Sequence, residues 1–265
     1  MTSNKRLDLR GFKIPLGKLA PQETFRTRAG DTLSYRFYPA WCDDLIVLYH
    51  GVGGDSRYMC VLASALAASG VANVVTPDLR CHGASLSLSD KIPANQLEVD
   101  LEELLIHIKM QRAVSRVTLA GHSMGGGFVL RMAVSPLRTQ FAKFVALAPR
   151  LPESLQAFYE DRGGWITPDA DGGFTVNMDP AFRSGQEKLH YSGEYLAAVA
   201  PPENVMELLK TLHPPLAVVT GAEDEVDIPE RHVELFTAAG IPVQIVPGLN
   251  HLTLVSKPDA YLSRF

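Results

Sequence analysis

Apolar positions in this chain fall into short unbroken runs, and most of the stretches between those runs carry apolar residues at helical spacing. The runs cover residues 45–49, 72–76, 117–120, 141–148, 216–220 and 243–246. Their lack of polar alternation marks strands buried on both faces. Between them, residues 59–69 form an apolar helical pattern stopped by Gly70, and residues 96–113 place apolar side chains at 97, 101, 104, 105 and 108. Further helical patterns follow residue 124 and span 229–239, and a short last helix closes the chain. Ahead of the first run, residues 23–26 and 32–38 flank Ala29, Gly30 and Asp31, which reads as a hairpin. Strands alternating with helices predict an α/β fold, with a mostly parallel central sheet and helices on both faces. The rhythm breaks between residues 150 and 213. There the pattern predicts a small hairpin around Asp169–Gly172 and short helices over 191–200 and 203–212. The expected organisation is a core of residues 1–149 and 214–265 with an inserted cap at 150–213. No internal repeat is visible.

Bulk properties narrow the partners more than the fold. A chain of 265 residues that is 46% hydrophobic and 20% charged has the composition of an ordinary globular protein. A net charge of −4 and scattered Lys and Arg give no long-range attraction to nucleic acid or an anionic membrane. No run of about 18 apolar residues is present, so no integral membrane span is expected. The first residues lack an apolar signal-peptide core. Three cysteines, Cys42, Cys60 and Cys81, show no metal-ligand spacing and read as reduced thiols. A cytoplasmic location is the expectation from these features.

Candidate chemistry gathers at the ends of the buried runs. Residues 117–120 lead into Gly121-His122-Ser123-Met124-Gly125, and a helical pattern follows. A serine at the apex of a sharp strand-to-helix turn is a nucleophile elbow. Side chains at 121 and 125 would collide across such a turn, so glycine suits both. A serine hydroxyl needs an imidazole to take its proton, and that imidazole needs an acid to fix its tautomer. After the run at 216–220 comes Gly221-Ala222-Glu223-Asp224, and Asp224 is the favoured acid, with Asp227 as its rival. His251 follows the last run and the turn at Gly248, and is the candidate base. His122 is expected to pack inside the elbow, His50 to hold the adjacent glycine loop, and His82 to brace a turn.

Taken together, these stretches resemble the α/β-hydrolase superfamily, in particular its monoacylglycerol lipases, lysophospholipases and carboxylesterases. The resemblance rests on His50-Gly51-Val52-Gly53-Gly54 with Arg57-Tyr58, and on Asp78-Leu79-Arg80-Cys81-His82-Gly83-Ala84-Ser85. It rests equally on the Gly121–Gly126 elbow, Gly221–Asp224 and Asn250-His251. It implies Ser123 as nucleophile, Asp224 as orienting acid and His251 as base, with the backbone N–H groups of Val52 and Met124 as an oxyanion hole. Cys81 stands where the family pattern has glycine, and the stretch from Asp224 to Pro229 is one residue longer than usual. The implied activity is hydrolysis of a carboxylic ester on a small-molecule substrate, with no cofactor or metal. Aromatic residues in the cap, among them Phe158, Tyr159, Trp165, Phe174, Tyr191 and Tyr195, point to an apolar acyl or alkyl group. The same fold also serves thioester, amide and C–C bond cleavage, and non-catalytic binding.

Overall fold

A computed structural model describes residues 14–152 and 165–265. Phe158 and Tyr159 lie outside the described residues, as does the start of the expected hairpin in the insertion.

Eight strands form the central sheet. β1 (Gln22–Arg26) and β2 (Thr32–Tyr38) are the predicted hairpin, followed by β3 (Leu45–Tyr49), β4 (Asn73–Pro77), β5 (Val117–His122) and β6 (Lys143–Leu147). Two more strands, β10 (Leu216–Gly221) and β11 (Val243–Val246), come after the insertion. The order across the sheet is β1-β2-β4-β3-β5-β6-β10-β11. β2 runs antiparallel to β4, and every pairing from β4 to β11 is parallel.

The unbroken apolar runs have a direct physical cause. In β3, Leu45, Val47 and Tyr49 enter one core, while Ile46 and Leu48 enter the other. Successive side chains of a strand point to opposite faces, so a strand covered on both sides must be apolar at every position. α1 (Cys60–Ala68) fills the second core with Leu62 and Leu66, and α7 (Thr253–Ser256) packs on it. α2 (Gln96–Gln111) and α3 (Met124–Val134) fill the first core. α2 buries Leu97, Leu101, Leu104, Leu105 and Ile108, the helical stripe expected from the spacing. α3 differs, because Phe128, Val129, Leu130, Met132 and Ala133 are all fully buried. It lies against β5 and β6 on one side and against α4 (Gly193–Val199) and α5 (Val205–Leu212) on the other. A helix enclosed in this way offers one charged side chain, Arg131, which bonds to Glu98.

Between β6 and β10 the chain forms a second, three-stranded antiparallel sheet: β7 (Ile166–Pro168), β8 (Phe174–Val176) and β9 (His190–Tyr191). β7 and β8 are the expected hairpin. β9 corrects the sequence reading, which began a helix at Tyr191. Tyr191 pairs with Phe174, and the Ser192 hydroxyl accepts the Tyr195 N–H at 3.1 Å, which starts α4 at Gly193. A serine that caps a helix cannot also lie inside it. α6 (Pro229–Ala238) covers β10 and β11.

Asp78, at the end of β4, ties several of these pieces together. Its carboxylate accepts the Ser34 hydroxyl at 2.5 Å, the Ser56 N–H at 2.7 Å and the Ala84 N–H at 3.0 Å. Beside it, Arg80 grips Asp100 of α2 with two 2.8 Å bonds and Asp31 of the hairpin with one of 2.6 Å. Cys81 takes a positive φ of 67°, which explains the glycine usual at this place. Its thiol is buried and donates to the Ser89 carbonyl, offsetting the cost of that conformation.

Asp78→Ala strips buried N–H groups of their acceptor. It is expected to lower stability by about 2–4 kcal/mol in urea unfolding. A loss under about 0.5 kcal/mol would show that water replaces the carboxylate without penalty.

Candidate active site

Parallel strands deliver their C-terminal ends to one edge of the sheet, beside the place where strand order reverses around β3. His50 follows β3, Ser123 follows β5, Asp224 follows β10 and His251 follows β11. The fold gathers side chains that are far apart in sequence. Ser123, His122 and His251 line one cavity with Val52, Tyr58 and Leu252, and Trp165, Val176 and Met178 of the insertion line it too.

Ser123 has φ 56° and ψ −117°, an unfavourable conformation for a residue with a side chain. Three hydrogen bonds hold it there. Its N–H donates to the Leu147 carbonyl at 2.9 Å, and its carbonyl accepts from Gly127 at 2.9 Å and Arg150 at 3.1 Å. The flanking glycines answer a steric demand. A Cβ at Gly121 would lie 2.3 Å from the Gly125 carbonyl oxygen, and one at Gly125 would lie 2.6 Å from that of His50. The backbone closes on itself at this point, and the serine is its apex.

His251 is buried, and its Nδ1 lies 2.9 Å from Asp224 Oδ2 and 3.1 Å from Oδ1. A carboxylate only accepts, so Nδ1 carries the proton and Nε2 keeps its lone pair. Burial disfavours the charged imidazolium, but the negative charge of Asp224 and its hydrogen bond outweigh it, with Asp227 and Glu225 adding to the effect. The net result is a His251 pKa above the ordinary 6.5. Burial likewise opposes ionisation of Asp224. The His251 charge and hydrogen bond, with the Val226 and Asp227 N–H groups at 2.8 and 2.9 Å, bring its pKa below the usual carboxylate value. Of the two acids considered from sequence, Asp224 is the one that meets the imidazole. Asp227 is buried nearby and acts on it through charge.

The loop carrying His251 is fixed by Glu225, His122 and Asn250. His251 N–H donates to Glu225 Oε2 at 3.1 Å. His122 Nε2 donates to the His251 carbonyl at 3.0 Å, and the two rings lie 4.6 Å apart. His122 is therefore more than packing, because it holds the backbone of the His251 loop. Burial, with His251 close by, pushes its pKa down to about 3, so it stays neutral. Asn250 Oδ1 accepts both the N–H and the hydroxyl of Thr253, which sets the turn into α7.

Val52 sits in a turn closed by the Gly54 N–H on the Gly51 carbonyl at 3.2 Å, with Gly53 at φ 69°. His50 Nδ1 also donates to the Gly51 carbonyl, at 2.9 Å, while its Nε2 accepts the Leu79 N–H at 3.1 Å. Burial keeps this imidazole neutral, which that pair of roles requires. In a trans peptide, C=O and N–H point in opposite directions. Two donors drawing the Gly51 carbonyl one way thus aim the Val52 N–H the other way. Met124 opens α3, where the first-turn N–H groups have no acceptor within the helix. Among the described residues, no cluster of His, Cys, Asp or Glu has the form of a metal site. No helix among them is long and apolar enough to cross a membrane.

Known proteins place the chain in a family. Residues 45–264 match the model of the alpha/beta hydrolase family. Among solved structures, a soluble variant of monoglyceride lipase from Saccharomyces cerevisiae superposes with a TM-score of 0.67 at 16% identity, covering 96% of each chain. Est1E from Butyrivibrio proteoclasticus gives a TM-score of 0.63 at 18% identity, over 92% of this chain and 99% of that one. Likeness at such identities is likeness of fold. A Pseudomonas putida protein, the dihydrolipoyllysine-residue acetyltransferase component of an acetoin cleaving system, is 35% identical over 104 residues. That match covers 39% of this chain and spans about a quarter (26%) of that protein. The residues matched by the family model take in the six parallel strands of the sheet and the loops after them: the chain belongs to the alpha/beta hydrolase family.

Proposed function

We propose that this hydrolase cleaves a carboxylic ester through an acyl-enzyme on Ser123. The observation that carries the reading is the buried His251–Asp224 contact, with Ser123 held at a strained apex in the same cavity. Ser123 Oγ attacks the ester carbonyl while its proton passes to His251 Nε2. Asp224 stabilises the imidazolium so formed and holds the ring by its Nδ1–H. The tetrahedral oxyanion lies against the Val52 and Met124 N–H groups, and one such donor is typically worth about 3 kcal/mol of barrier. Collapse breaks the C–O bond to the alcohol, which takes the proton from His251. Water then attacks the acyl group, giving its proton to His251, and a second collapse frees the acid and restores the serine hydroxyl. No cofactor takes part in these steps.

Residues 150–213 act in this reading as a cap that shapes the pocket. Trp165, Val176 and Met178 come from it, and Val52, Leu252 and Val255 from the core. Such a lining, mostly apolar beyond Ser123 and the histidines, favours an apolar acyl or alkyl group.

The first test is turnover of p-nitrophenyl esters from acetate to palmitate by wild type and Ser123→Ala. Wild type is expected to favour one range of lengths, and the variant to lose at least about 10⁴-fold in kcat. A wild type inert across the series would refute ester hydrolysis.

The pH profile is a second, independent check. The base works only as neutral imidazole, so activity is lost as pH falls through the His251 pKa. The acid limb of kcat/KM should therefore have its midpoint above 6.5. Asp224→Asn removes the charge that raises this pKa, and should move the limb to lower pH while reducing kcat by about 10⁴-fold. Asp227→Asn should keep kcat within about tenfold, since the imidazole N–H bonds to Asp224. Equal losses in the two variants would contradict the assignment of the acid.

A further inference from the structure

One buried polar group that this mechanism does not use is Tyr191. Its side chain is fully buried, yet it comes from β9 of the cap and reaches the loop after β3. Its hydroxyl oxygen lies 2.7 Å from the Gly53 nitrogen and 2.8 Å from His82 Nε2.

Proton bookkeeping fixes the direction of each bond. An amide N–H can only donate, so Tyr191 Oη accepts from Gly53. His82 Nδ1 lies 3.0 Å from the Arg80 carbonyl, which can only accept, so Nδ1 carries a hydrogen. Tyr195 Oη, 3.4 Å from the same Nδ1, takes at most a weak share of it. Burial drives the His82 pKa well below 6.5, with His50 and Lys188 nearby adding to the effect, so the ring is neutral and Nε2 is an acceptor. The Tyr191 O–H must therefore point at His82. Each member has one available role, and the chain runs in one direction: Gly53 to Tyr191 to His82 to Arg80.

We propose that Tyr191 is a positioning residue, which fixes the Gly51–Gly54 turn through this relay and so couples docking of the cap to the geometry of the oxyanion hole. The inference rests on the reading of the Val52 N–H as an oxyanion donor. The Gly51 carbonyl end of that turn is held from the core by His50 and Gly54. The peptide between Val52 and Gly53 is held from the cap by Tyr191. With both peptides fixed, the Val52 N–H has one direction.

The anchoring of Tyr191 suits that task. Its ring stands 5.0 Å from Phe174 and 5.7 Å from Tyr195, and Lys188 Nζ lies 5.1 Å above it. Lys188 Nζ in turn binds Asp90 at 2.9 Å. Ser192 binds the same Asp90 twice, N–H to Oδ2 at 3.1 Å and Oγ to the backbone carbonyl at 2.8 Å. The residues on either side of Tyr191 are thus pinned to one core residue, and its hydroxyl inherits that placement.

Tyr191→Phe removes the hydroxyl and keeps the ring. With the preferred p-nitrophenyl ester, kcat should fall about ten- to a hundredfold while KM stays within about twofold. Affinity for a trifluoromethyl ketone, which mimics the tetrahedral state, should fall by the same factor as kcat. Tyr195→Phe, an equally buried hydroxyl outside the main relay, should leave kcat within about twofold. Unchanged kcat in Tyr191→Phe, or an equal loss in Tyr195→Phe, would overturn the proposal. So would a fall in kcat that the ketone affinity does not share. The Gly53 amide separates this failure from that of the esterase reading, because it needs no substrate. In wild type its hydrogen exchange should be slow, and in Tyr191→Phe at least about tenfold faster. Equal exchange in the two proteins would exclude the relay even if every ester proved inert.

Discussion

The constraint on which the site depends is the crowding of backbone at the end of β5. Carbonyl oxygens of Gly125 and His50 occupy the space that side chains at 121 and 125 would need. This forces two glycines, and it also brings the ends of β3 and β5 into direct contact, since His50 belongs to the loop after β3. The serine apex and the Val52 turn are therefore placed relative to each other by packed main chain. Main chain in contact moves little, and the oxyanion hole proposed above would benefit from such rigidity. The unfavourable φ of Ser123 is the local cost, about 1–3 kcal/mol for a residue of this kind, offset by the hydrogen bonds that hold it.

A second layer of order comes from buried histidines. His50, His82 and His122 are enclosed, and burial lowers the pKa of each. Each spends its ring N–H on a backbone carbonyl: Gly51, Arg80 and His251 respectively. A neutral imidazole with one hydrogen placed has one acceptor left, so its second partner must be a donor. This logic makes histidine a directional brace rather than a charge. His251 alone among these four faces a carboxylate, and it alone has its pKa raised. The contrast between one imidazole prepared to gain a proton and three that resist it is set by whether a carboxylate or a carbonyl meets the ring N–H.

Much of this was legible in the sequence, because the fold arises from strand runs that have to be apolar on both faces. The glycine spacing at the elbow was legible for the same kind of reason, since sterics leaves few alternatives. The order of Ser123, Asp224 and His251 at strand ends placed them on one edge, and the structure sets Asp224 against the imidazole. Contacts between distant segments could not be read, because they leave no local signal. Tyr191 looked like one more apolar residue of an irregular stretch, and the helix pattern from 191 to 200 hid the short strand that holds it. His122 looked like filler because its partner is a backbone carbonyl 129 residues away. Polar side chains that meet main-chain groups leave no pattern in a sequence, since every residue supplies the same partner.

The insertion between β6 and β10 shows how far local rules reach. β7 and β8 were visible from their turn, but β9 has two residues and owes its pairing to its neighbour Ser192. Ser192 must leave the helix to cap it, and the extended backbone it then adopts carries Tyr191 into register with Phe174. The capping hydroxyl of Ser192, its bonds to Asp90 and the pairing with β8 together hold the tyrosine in a strand and not on a helix face. In this strand position its hydroxyl meets the Gly53 N–H. A helix start, a local matter worth about 1 kcal/mol, thus lies one residue from a side chain that bonds a loop more than a hundred residues earlier in the chain.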